Sequence, residues 1–86
     1  MNKENTIEEY IVKDNLDMNK LMEDYYNYIR TIIKNTNSLS IEDEEEVISD
    51  VLLIIWKNKN KLDKKLKFSP YIAGVTKNVI YRKYKE

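Results

Sequence analysis

The side chains able to do chemistry in this chain sort by charge along its length. Carboxylates crowd the stretch from Glu42 to Glu46 and recur at Asp50; lysines recur at 57, 59, 61, 64, 65 and 67, and basic residues return at Lys77, Arg82, Lys83 and Lys85. Residues 1–56 hold 5 basic and 13 acidic side chains, a net of −8, and residues 57–86 hold 10 basic and 2 acidic, a net of +8. Such a separation suits a nucleic-acid surface at the basic end and a basic protein partner at the acidic end, or simple solvation there. Its plainer reading is two parts that complement each other within the fold. Histidine and cysteine are absent, which excludes thiol catalysis, disulfides and the usual zinc-site patterns and removes the commonest general base. Catalysis would have to rest on carboxylates that sit at a helix start, with no phosphate loop or metal spacing beside them. No catalytic residue, metal ligand or cofactor is expected.

The elements that must position these residues follow from periodicity. With 86 residues, one Gly and one Pro, the chain has room for one domain and few turn-formers, so an all-α fold is expected: a small bundle of three main helices plus a short N-terminal helix. Ile7, Tyr10 and Ile11 share a face of a short helix over 6–12, within an N-terminal appendage spanning 1–16. Asp17 is the candidate N-cap of a helix reaching Asn35, with Leu21, Met22, Tyr25, Tyr26, Ile29, Ile32 and Ile33 at three- and four-residue spacing. A loop over 35–38 follows. Ser40 can cap the next helix through the amide near Asp43, and the acidic run then meets the positive end of the helix dipole, which explains it without a partner. Val47, Ile48, Val51, Leu52 and Ile55 form one stripe, with Leu53, Ile54 and Trp56 spreading apolar surface further round.

Residues 57–69 read as a basic connector. Ser69-Pro70 supplies an N-cap and a first-turn proline for a last helix over 70–86, which buries Tyr71 or Ile72, Val75, Val79 and Ile80. The longest strongly apolar run, Val51 to Trp56, is far short of the roughly 20 residues that cross a bilayer, and the N-terminus lacks a signal-peptide core. A soluble cytoplasmic protein that does not engage a membrane is expected.

Two segments, DEEEVISDVLLIIW from Asp43 and FSPYIAGVTKNVIYRKYK from Phe68, resemble conserved region 2 of the bacterial sigma-70 family, its extracytoplasmic-function (ECF) branch in particular. The first resembles the pattern D-A-E-D-I-V-Q-D-V-F-L-K-I-W through Asp43, Glu45, Val47, Asp50, Val51, Leu53, Ile55 and Trp56, with Glu46, Ile48 and Leu52 as close replacements. The resemblance implies that this helix, within a polymerase-binding segment over 17–56, docks on the clamp helices of the largest subunit of core RNA polymerase through Glu46, Ser49, Asp50 and Leu53. Ser49 stands where the family usually has glutamine. A carboxylate pair beside exposed apolar atoms suits an arginine-bearing partner. The second segment resembles the family's F-x-x-W/Y-L-x-x-I-A-x-N pattern and its basic continuation. It implies that the non-template strand of the promoter minus-ten element is held by Phe68 and Tyr71 as stacking groups, by Asn78, Tyr81 and Arg82 toward base edges, and by Lys64, Lys65, Lys67, Lys77 and Lys83 on phosphates. Lys59, Lys61 and Lys85 add to the phosphate set. Gly74 replaces a larger residue, marking either close helix packing or a weaker helix.

The function this implies is a sigma region 2 domain that binds core polymerase and recognises and melts the minus-ten element, with room for an anti-sigma factor as a further partner. No region 4 for the minus-35 element follows within the 86 residues. The rival is a helical interaction module whose acidic face binds a basic partner and whose lysines only solvate it.

Overall fold

Apolar residues three and four apart on three segments must bury one another, and they do so as helices. The computed structural model describes residues 6–36 and 38–84. In it α1 (Met18–Thr36), α2 (Ile41–Lys57) and α3 (Phe68–Tyr84) each pack against the other two. Leu21, Tyr25, Ile29 and Ile33 of α1 meet Val47, Ile48, Val51 and Ile55 of α2 and Phe68, Ile72, Val79 and Ile80 of α3 in one core. Each such side chain contributes about 1.5–3 kcal/mol relative to exposure, which is what holds the helices in place. The expected all-α bundle is what forms.

Two of the three expected N-caps are present, and the third, Ser69, lies inside the first turn of α3 instead. Asp17 Oδ1 accepts from the Lys20 amide at 3.1 Å, and Ser40 Oγ accepts from the Asp43 amide at 3.1 Å. At the other end of α2, the backbone and side-chain amides of Asn58 both donate to the Ile54 carbonyl, and a 3₁₀ turn over Lys59–Lys61 follows. The start of α3 differs from expectation. It begins at Phe68 rather than Pro70, because the buried Phe68 ring anchors the first turn. Pro70 still falls in that turn, where an amide hydrogen would have no helical acceptor.

The expected short N-terminal helix is a 3₁₀ turn, and over residues 6–16 the segment packs into the core rather than standing as an appendage; residues 1–5 lie outside the described residues. A 3₁₀ turn, Ile7–Tyr10, leads into a two-stranded antiparallel hairpin, β1 (Ile11–Val12) and β2 (Asn15–Leu16). Its two central residues, Lys13 and Asp14, have φ of 52° and 64°, the sign that a type I′ turn requires at both. Ile7, Tyr10 and Leu16 are buried with the helices. The Tyr10 hydroxyl donates to Asp24 Oδ2 at 2.6 Å, and its ring stands edge-on to Phe68 with centroids 5.2 Å apart.

This segment also fixes the connector. The Ile7 amide donates to the Leu66 carbonyl at 2.9 Å, the Glu8 amide to the Lys64 carbonyl at 3.0 Å, and Thr6 forms an antiparallel bridge with Lys67. The lysine-rich stretch before α3 is therefore strapped to the bundle by its backbone, which leaves its side chains outward. Among the described residues, no helix is long and apolar enough to cross a membrane.

Candidate nucleic-acid and protein interface

Because α2 turns its fully apolar stripe inward, Glu46, Ser49, Leu53 and Trp56 fall on its outer side at three- and four-residue spacing. Leu53 is 51% exposed, an apolar side chain set among polar ones. Asp50, one turn before Ile54, sits at the edge facing α3. Together with Leu53, Ile54, Val79, Arg82 and Lys83 it lines a groove of about 290 Å³ between the two helices. The four residues expected on the polymerase side are thus brought together. Trp56 was not among them, although its position three residues after Leu53 was a readable signal; it continues the face, with the Lys59 ammonium 4.0 Å from its ring centroid.

Glu44 has a role that the helix-dipole reading missed. It is buried, and its carboxylate receives Arg30 at 3.3 Å and Lys34 at 3.4 Å from α1. One residue on, Glu45 accepts from the Tyr26 hydroxyl at 2.5 Å, which raises the tyrosine's pKa above its ordinary value of 10.0. The start of α2 is therefore fastened to α1 by polar contacts, while Glu46 and Asp50 are turned toward solvent and α3.

The residues expected on DNA divide into three groups. Lys77, Asn78 and Tyr81 are exposed and, with Pro70 and Gly74, follow the outward stripe of α3. A Cβ at Gly74 would meet nothing within 4 Å, so the glycine is not there for close packing. Arg82 and Lys83 instead line the groove toward α2. The Lys83 ammonium lies 3.2 Å from Glu46 Oε2 and 3.1 Å from Asp50 Oδ2. These carboxylates, Asp50 foremost, raise its pKa above the ordinary lysine value. One residue from the expected DNA set is thus joined to two from the expected polymerase set.

The third group surrounds the connector. Lys65, Leu66, Lys67, Pro70 and Tyr71 line an open hollow of about 620 Å³ whose walls are mainly apolar. Lys64 is exposed beside it in sequence. Tyr71 is half-buried, and that burial raises its pKa. Phe68 must be corrected: it is fully buried against Tyr10, Tyr25 and Tyr71 and cannot stack on a base. It supports the Tyr71 ring, 6.2 Å between centroids, from within. The signal was its place four residues before Ile72, on the same buried stripe. Leu66 is 56% exposed and joins the hollow in its stead. Lys85 lies outside the described residues, and among the described residues no group of three or more acidic side chains is placed to hold a metal.

An acidic and apolar face on one helix, beside a basic and aromatic face on the next, defines a small helical binding domain with two kinds of partner. The chain belongs to the sigma-70 region 2 family, whose model matches residues 21–86. It is therefore a non-catalytic domain of a transcription initiation factor, of the kind that binds core RNA polymerase and recognises promoter DNA. No curated protein and no solved structure gives a match.

Proposed function

We propose that this domain, of the extracytoplasmic-function type, docks on the clamp helices of core polymerase through Glu46, Ser49, Asp50 and Leu53 and opens the minus-ten element by capturing an unstacked base of the non-template strand. The observation that carries the reading is the hollow at the connector. It offers an aromatic wall, Tyr71, and apolar atoms from Leu66 and Pro70, with Lys65 and Lys67 at its rim to meet phosphates. An extruded base needs that combination, since unpairing costs a few kcal/mol that stacking and phosphate contacts must offset. The outward stripe of α3 then meets adjoining nucleotides, with Lys77 on backbone and Asn78 and Tyr81 toward bases.

The test is binding of a labelled single-stranded minus-ten oligonucleotide and a scrambled one. Tyr71→Ala should lose about 1–3 kcal/mol of affinity, the usual worth of one stacked base. Asn78→Ala should narrow the gap between the two oligonucleotides, whereas Lys77→Ala should weaken both alike. A folded Tyr71→Ala variant with undiminished affinity, or an Asn78→Ala variant that loses stability yet keeps its preference, would remove this reading.

A further inference from the structure

One side chain joins the two faces, and what it does there rests on the polymerase reading above. Lys83 reaches across the groove from α3, and its single ammonium serves both Glu46 and Asp50, at 3.2 and 3.1 Å. The side chain is only 29% exposed, with its stem in the groove, whereas the carboxylates stay open to a visitor at 57% and 39%. In the free domain this acidic pair is already partly neutralised by a residue of its own chain.

We propose that Lys83 is an internal competitor for the partner's cation: it occupies the Glu46–Asp50 pair in the unbound domain and is displaced by an arginine of the polymerase on docking. The chemistry favours that exchange in one direction. A lysine ammonium is a compact point charge, whereas a guanidinium presents a planar fork that bonds carboxylates two bonds at a time. An incoming arginine therefore improves on the internal contact, while an incoming lysine merely replaces like with like. Lys83 lowers the affinity of this face for every cation by the same factor, so that only a contact stronger than the internal one, such as a guanidinium makes, displaces it readily. The two carboxylates, Asp50 foremost, raise the pKa of Lys83, as such occupancy requires.

The experiment measures binding of a purified clamp-helix coiled coil from the largest polymerase subunit by fluorescence anisotropy, at low and at high salt. Lys83→Gln should bind about two- to fivefold more tightly than wild type at low salt, the worth of one exposed ion pair no longer broken on docking. That gain should shrink at high salt, where exposed charges are screened. Lys83→Arg should bind no more tightly than wild type, because a guanidinium competes at least as well. Lys13→Gln, which removes the same charge from the hairpin turn, should leave affinity unchanged. A Lys83→Gln variant that binds equally or more weakly, a Lys83→Arg variant that gains, or a Lys13→Gln variant that gains as much as Lys83→Gln overturns the competitor while leaving the docking face intact. Wild-type protein that fails to bind the fragment overturns the docking face itself, and the competitor with it.

Discussion

Replacing Glu44 tests whether the polar clasp between α1 and α2 carries stability or merely fills space. The carboxylate is 6% exposed and faces two cations, Arg30, 33% exposed, and Lys34, 58% exposed. A pair of unit charges at such a distance attracts by about 5 kcal/mol at an effective dielectric constant of about 20, an upper bound before desolvation. Breaking a fully buried pair costs about 3–5 kcal/mol. Here both cations keep water at their outer ends, so the loss must be smaller. Glu44→Gln preserves shape but leaves Arg30 facing a neutral amide, and the buried Arg30 Nε already has no hydrogen-bond partner among the described residues. We expect a loss of about 1–2 kcal/mol in urea unfolding, and a melting temperature lower by about 4–16 °C at the roughly 4–8 °C per kcal/mol of a domain this size. The buried half of the clasp is shielded from ions, so most of the difference should persist in high salt. A Glu44→Gln protein within about 0.5 kcal/mol of wild type, the range of a silent surface change, would show that the clasp contributes nothing net.

Three further outcomes follow from the same structure. Gly74→Ala meets open space on an exposed helix face, so it should stabilise the domain by about 0.8–1 kcal/mol, seen as a higher melting temperature; an unchanged or lower one contradicts the reading of α3 as locally weakened. Tyr26 has its pKa raised in the fold, chiefly by its hydrogen bond to Glu45, so its contribution is complete below the ordinary tyrosine value and lost as pH rises through the raised one. Wild type should therefore exceed Tyr26→Phe in stability at neutral pH, with the difference vanishing in alkaline melts; a difference that persists there refutes the contact. Replacing Lys64, Lys65 and Lys67 with Ala should flatten the salt dependence of single-stranded DNA binding by about 0.7 in log–log slope for each phosphate no longer neutralised, and an unchanged slope would place the phosphates elsewhere.

The three helices and two of their caps were legible because apolar spacing and an Asp or Ser just before it are local signals. The hairpin was not, since its strands are two residues each, too short to alternate, and its turn is Lys13-Asp14 rather than a glycine-bearing pair. Phe68 shows the other limit. Its type fitted both a stacking group and a core anchor; its place four residues before Ile72 pointed to the core, and the packing of Tyr10 and Tyr25 against it decides for that. The face of α2 was readable from helical spacing, whereas the engagement of Lys83 was not. No local pattern links a lysine to carboxylates 33 and 37 residues earlier, and only the packing of α3 on α2 makes them neighbours.

That packing also bears on what the separated charges are for. If the acidic and basic parts served mainly to complement each other, ion pairs would run between them throughout. Among the described residues, the ion pairs that cross are those of Lys83 alone, while Arg30 and Lys34 answer Glu44 within the acidic part. Lys64, Lys65 and Lys67 stay exposed, and the N-terminal segment that holds their stretch does so through backbone amides rather than through its own carboxylates. Folding thus leaves that positive charge open to a partner, on a strapped and therefore ordered strip beside an apolar hollow. On the proposed reading, a surface that lines up lysines with successive phosphates would lose less entropy on binding because the Ile7 and Glu8 bonds already hold the strip.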